Sequence, residues 1–202
     1  MARGQQERTV GSAAAQALPT RRAALAAVAG GSVLALLPDA ARADATTGPA
    51  RTQDEGFMRE ALAMAAEGDT PFGTVIVRDG QVMARGPNLT RRLADPTAHG
   101  EMVAIRRFLA ARTPEELKGT TLYSSGEPCA MCMGAILWCG IDRVVYGAST
   151  QDLAARITRL PMPALTIATA MAQQAPFLKV EITGGVLRDE ALALFETVKT
   201  KP

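Results

Sequence analysis

The sequence predicts an α/β fold: five strands with helices on both faces. Three observations lead there. Short β-branched runs alternate with longer segments whose apolar residues recur at helical spacing. An Asp-Gly pair, Asp79-Gly80, joins two of those runs as a tight hairpin. The 202 residues are 48% apolar, enough for one well-packed core.

In chain order, "FMREALAMAAE" (57–67) has helical apolar spacing, and Gly68 stops it. Thr74–Val77 and Gln81–Ala84 are the two arms of the hairpin. "NLTRRLADPTA" is a loop. "HGEMVAIRRFLAAR" follows as a helix, with Met102, Ile105 and Leu109 expected on its apolar face. "TTLYSS" is a short strand, "CAMCMGAILWCG" an apolar helix and "DRVVYGA" another strand. Pro161 and Pro163 break residues 151–175 into two helical pieces around an irregular turn. "LKVEIT" is the last strand and "DEALALFETVK" the closing amphipathic helix.

The first 43 residues read differently. Arg21 and Arg22 precede an uncharged run from Ala23 to Leu37, and Ala41 and Ala43 form a small-x-small pattern. That is an export signal, with cleavage expected after Ala43. The run is shorter than the roughly 20 residues a membrane span needs. Thr20-Arg21-Arg22-x-x-Leu25 resembles a twin-arginine signal, which carries folded proteins across a membrane. An ordinary signal for unfolded chains and a plain N-terminal tail are the alternatives. Residues 44–52 read as a linker, and 53–202 as the working domain, expected in the periplasm. Residues 44–202 keep 17 basic and 18 acidic residues. A net charge of −1 leaves no general basic footprint for a nucleic-acid partner.

Chemistry concentrates in a few residues. His99 is the chain's only histidine, two residues before Glu101. Cys129 and Cys132 follow Pro128, three apart, and Cys139 is the last cysteine. One imidazole and two thiolates make three ligands and leave a fourth position for water, as a catalytic zinc requires. Cys139 lies seven residues beyond Cys132, ~10 Å along a helix, which is too far for the same ion. It reads as a small buried hydrophobe. A Cys-x-x-Cys pair alone is also compatible with a redox motif or half of a structural zinc site. At a helix start, unpaired N–H groups and the dipole stabilise thiolates. Glu101 is the acid–base candidate; its plainer role is a first-turn carboxylate favoured by the dipole. Two steps along a regular helix turn a side chain by roughly 200°. His99 must therefore sit at the cap, outside helical geometry, if it is to share a site with Glu101.

The combined His-x-Glu and Pro-Cys-x-x-Cys pattern resembles that of the zinc-dependent base deaminases. From about Phe57 to Ala148 the chain resembles the cytidine and deoxycytidylate deaminase superfamily, most closely its guanine deaminase and nucleoside deaminase branch. The matching segments are "TPFGTVIVRDGQVMARGPN", "DPTAHGEMVAIR" and "GEPCAMCMGAILWCGIDRVVYGAS". The tRNA adenosine deaminases carry nearly the same metal motifs. The resemblance implies a three-layer α/β/α sandwich with a central five-stranded mixed sheet, one zinc per subunit held by His99, Cys129 and Cys132, Glu101 as the proton carrier, and a homodimer. It also implies that Asn88 contacts the base or sugar and that the Phe72 ring lies near the base pocket. Without it, Asn88 is a turn residue after Pro87, and Phe72 packs in the core. Position 100 is Gly where the family usually has Ala. The segment after Val198 is short, which leaves open whether Phe195 covers the pocket.

The expected function is hydrolytic deamination of a small-molecule purine base or nucleoside, guanine to xanthine and ammonia first. A tRNA adenosine deaminase and a cytosine or cytidine deaminase are alternatives, since pocket shape selects the ring. A zinc-binding module without turnover is the alternative from another class.

Overall fold

Asp79 and Gly80 both take positive φ, 50° and 73°, the backbone a two-residue hairpin turn needs. The turn joins β1 (Gly73–Arg78) to β2 (Gln81–Pro87), and both arms run longer than the sequence pattern suggests. The computed structural model describes residues 47–157, 167–175 and 177–196. The expected signal over residues 1–43 and the break at Pro161 and Pro163 lie outside the described residues. The remaining elements are α1 (Asp54–Glu67), α2 (Gly100–Leu109), β3 (Thr121–Gly126), α3 (Ala130–Cys139), β4 (Arg143–Ala148), α4 (Thr150–Arg156), α5 (Ile167–Gln174), β5 (Glu181–Thr183) and α6 (Arg188–Glu196). The sheet order is β2-β1-β3-β4-β5. β1 pairs antiparallel with β2 and β3, while β3–β4 and β4–β5 are parallel, so the five strands form a mixed sheet.

Alternation along each strand divides the core into two layers. Ile76, Leu122, Val144, Tyr146 and Ile182 face α2, α3 and α5, where they meet Ala104, Phe108, Met133, Ile136 and Ala168. Val75, Val77, Tyr123 and Val145 face the other way, against Met58 and Ala61 of α1. Ala191, Leu192 and Phe195 of α6 close onto Ala148 and Leu153. Helices thus cover both faces, as expected. The buried stripe of α2 differs from the expected one: it runs through Glu101, Ala104, Ile105 and Phe108, while Leu109 is exposed. Helical spacing allows either stripe; the close seat of α2 on β2 selects the observed one.

That seat needs glycine. A Cβ on Gly86 would stand 2.1 Å from the Gly100 carbonyl oxygen and 2.5 Å from the Ala104 nitrogen. A Cβ on Gly100 would stand 2.8 Å from the Gly86 carbonyl oxygen. The helix start rests directly on strand backbone.

The far end of the sheet is held by charge. Arg143, buried at the start of β4, grips both oxygens of buried Asp54 at 2.7 and 2.8 Å. It also donates to Glu181 at 2.7 Å and Thr183 at 2.9 Å. The Tyr123 hydroxyl donates to Asp54 at 2.9 Å. Within the stretch read as a linker, Thr47 and Gly48 donate their N–H groups to the Ile182 carbonyl at 2.8 and 3.1 Å. They occupy the outer edge of β5, a strand edge that would otherwise present open hydrogen-bonding groups.

Candidate active site

β3 ends at Gly126, and the Glu127 N–H still bonds the Ala148 carbonyl of β4 at 2.8 Å. The chain then turns through Pro128 to Cys129, which has extended backbone (φ −70°, ψ 171°) and caps α3. His99 caps α2 in the same way (φ −64°, ψ 158°). Each helix therefore begins one residue after a ligand candidate. Cys132 lies in the first turn of α3, on the buried side. The site sits beyond the C-terminal end of β3, where parallel strands of an open sheet commonly present ligands.

The three candidate ligand atoms form a near-equilateral triangle. His99 Nδ1 lies 3.7 Å from Cys129 Sγ and 3.6 Å from Cys132 Sγ, and the sulfurs are 3.6 Å apart. Bond lengths of ~2.3 Å to sulfur and ~2.0 Å to nitrogen put tetrahedral ligand atoms about 3.5–3.8 Å apart. The triangle fits one ion. Cys139 ends α3, half-buried against the core, and among the described residues the ligand group is His99, Cys129 and Cys132.

The protons of the three groups are coupled. The adjacent Cys132 thiol draws the Cys129 thiol down to about 4; burial opposes this and the His99 ring assists. Cys132 moves in the other direction, pushed up by its bond to Cys129 and by burial. Two thiolates this close need a cation between them. The bond to Cys129 also raises the His99 pKa. Once deprotonated, one imidazole and two thiolates form a donor set that suits a soft to borderline divalent metal.

Glu101 completes the group. It is buried, and its Oε2 lies 3.5 Å from Cys132 Sγ. Burial raises its carboxyl pKa. The angular conflict between His99 and Glu101 disappears because only Glu101 is helical.

The two further candidates lie together, away from the ligand triangle in sequence. Asn88 is buried; its Oδ1 accepts from the Thr90 N–H at 3.2 Å and the Thr90 hydroxyl at 2.9 Å. Its oxygen closes an Asx turn. The Asn88 N–H bonds the Phe72 carbonyl at 2.9 Å. The Phe72 ring meets the Phe195 ring edge to face, with centroids 4.9 Å apart. Phe195 is buried, so the contact joins α6 to the segment before β1.

Two buried residues escaped the sequence reading. Ser124 donates its hydroxyl to Glu101 Oε1 at 3.3 Å. Glu127 accepts the N–H groups of Thr150 at 2.8 Å and Ala168 at 3.2 Å, tying the starts of α4 and α5 to the Cys129 loop. Ser124 shares the face of Leu122, a signal present in the alternation of "TTLYSS". Glu127 gave none, since its partners are peptide groups distant in sequence.

A mixed sheet with three side chains able to hold a metal at two helix starts, and a buried carboxylate beside them, is the arrangement to compare with known proteins. The model of the cytidine and deoxycytidylate deaminase zinc-binding region matches residues 51–148. The chain belongs to the cytidine and deoxycytidylate deaminase superfamily. Chloroplastic tRNA(adenine(34)) deaminase of Arabidopsis thaliana is 47% identical over 109 residues, 52% of this chain and 8% of that protein. Guanine deaminase of Bacillus subtilis is 42% identical over 105 residues, 50% of this chain and 67% of that protein. A structure from work on tRNA:A34 deaminases has 33% identity and a TM-score of 0.58, covering 69% of this chain and 98% of that one.

Proposed function

We propose that the chain is a zinc-dependent hydrolytic deaminase of a free purine base or nucleoside, with guanine as the first candidate. The observation that carries this is the ligand triangle with the Glu101 carboxylate beside it. His99, Cys129 and Cys132 would hold zinc. The ion, when bound, supplies a Lewis acid that brings a water towards ionisation at neutral pH. Glu101 would carry one proton from the attacking water to a ring nitrogen and a second, from the hydroxyl group formed on the ring carbon, to the amine, which departs as ammonia. With guanine, a C–O bond forms and the exocyclic C–N bond breaks, yielding xanthine and ammonia. Phe72 would stack on the base, and the Asn88 amide nitrogen would donate to its edge.

A tRNA adenosine deaminase is the second reading, supported by the 47% identity to the Arabidopsis protein. The net charge of −1 over residues 44–202 and the export signal weigh against it. In the proposed setting the signal is removed after Ala43 and the folded, zinc-loaded domain works in the periplasm. Loading before export would keep both thiols from oxidation. The proposed assembly is a homodimer: α3 carries no charged residue and exposes Met131 and Trp138, with Phe177 stacked on the indole at 5.2 Å.

The test is ammonia release by residues 44–202 from guanine, guanosine, adenine, adenosine, cytosine, cytidine and an adenosine-containing tRNA anticodon stem-loop. Release from guanine that disappears in Glu101→Gln supports the reading. Release from the stem-loop alone selects the second reading. Stoichiometric zinc without ammonia from any substrate leaves a silent zinc module.

A further inference from the structure

The first turn of α2 stands on a polar patch of the sheet. Ser124 on β3 and Thr74 on β1 face each other across the ladder, and both are fully buried. They lie on the faces of Leu122 and Ile76, towards α2. Thr74 Oγ1 would be 3.0 Å from a Cβ on Gly100, so it fills the space under the residue before Glu101. Among the described residues Thr74 Oγ1 has no hydrogen-bond partner. Ser124 is different: its hydroxyl donates to Glu101 Oε1 at 3.3 Å.

The other carboxyl oxygen, Oε2, lies 3.5 Å from the Cys132 sulfur. A thiol there can donate to it, but a thiolate ligand has no proton to give. Among the described residues, Ser124 is then the side-chain donor left to hold the carboxyl group in a loaded site. A hydroxyl suits a proton carrier, because it donates to a carboxylate and accepts from a carboxylic acid. The contact therefore survives both halves of the proton's journey.

We propose that Ser124 is a positioning residue for Glu101: it pins Oε1 to the sheet and leaves Oε2 facing the ligand triangle. The proposal rests on the deaminase reading and adds a residue to it. Its value lies in orientation, since a carboxyl group free to swing spends less time in reach of the reacting atoms.

Ser124→Thr and Ser124→Val decide the matter, because the two side chains share a shape and differ in the hydroxyl. Both are made in residues 44–202, loaded with zinc and assayed on guanine. Equal zinc content is expected for the pair, since neither change touches a candidate ligand. The threonine variant should keep kcat within about threefold of wild type, while valine lowers it about tenfold or more with KM little changed. A crystal structure of the valine variant should show the Glu101 carboxyl turned away from the position it holds in the threonine variant. Equal kcat in the two variants overturns the role of Ser124, and so does a fall confined to KM. If Glu101→Gln keeps its activity, it is the deaminase reading that fails.

Discussion

At the scale of single residues, Gly100 shows how a departure from a family pattern can be structural. The methyl group of an alanine would press on the Gly86 carbonyl oxygen, 2.8 Å away, and on Thr74 Oγ1 at 3.0 Å. Backbone cannot yield as a side-chain end does, so the start of α2 would shift and carry His99 and Glu101 with it. Gly100→Ala is expected to cost about 1–3 kcal/mol in chemical denaturation and to weaken zinc retention against a chelator. Unchanged stability would mean the helix adjusts freely. Thr74→Val removes a buried hydroxyl without a partner among the described residues and should leave stability equal or higher, read as the melting temperature. The sequence was most legible at this scale wherever chemistry needs a particular residue type. His99, Cys129, Cys132 and Glu101 announce themselves by type and spacing, and the extended backbone of His99 follows from the angle between positions 99 and 101. Ser124 and Glu127 do not, because a serine in a strand and a glutamate before a proline look ordinary until the fold supplies their partners.

At the scale of elements, the order of strands and helices was readable because periods of 2 and 3.6 differ clearly. Edges and faces were less so. β5 covers Glu181–Thr183, half of the expected run, since its ladder with β4 begins only at the Arg143–Glu181 pair. The stretch from Thr47 to Asp54 has linker composition, yet its polar groups are met by Ile182, Thr183 and Arg143. Composition records what a segment lacks in apolar area, not which edge it can pair with. Residues 44–202 should therefore melt higher than residues 53–202, and equal melting would make the edge contacts dispensable. Removing Arg143 leaves Asp54 buried without its cation, so Arg143→Met is expected to cost about 3–5 kcal/mol in urea unfolding. The same pair sets an acid limit. Burial raises the Asp54 pKa, but Arg143, the Arg51 N–H and Tyr123 outweigh it and hold the carboxyl below its ordinary value. A carboxyl lowered in the fold contributes stability that is complete above its unfolded value, about 4. That contribution falls away as pH drops towards the folded value, which denaturation curves collected from pH 6 to pH 3 will show.

At the scale of the whole molecule, one sheet serves two ends. The ion pairs of buried Arg143 lock the starts of β4 and β5, and the carboxyl end of β3 opens onto two helix starts that present the three candidate ligands. The exposed Trp138, 82% accessible, lies on the apolar helix that carries Cys132. In the proposed dimer this face is covered by a second copy, and Trp138→Glu should give a monomer by light scattering while the wild type is twice that mass. A monomeric wild type would contradict the dimer without touching the chemistry. The export proposal belongs to this scale too: an Arg21→Lys, Arg22→Lys variant should stay inside the cell, and its active appearance outside would contradict a twin-arginine route. The account stands or falls on three side chains meeting at one ion with Glu101 at its side. Zinc and ammonia measured on the same preparation of residues 44–202, with guanine supplied, test this most directly. The prediction is one zinc per chain and steady ammonia release, with Glu101→Gln keeping the zinc and losing the ammonia. A preparation that releases ammonia with no zinc bound, or a Glu101→Gln protein that turns over as fast as the wild type, would contradict it.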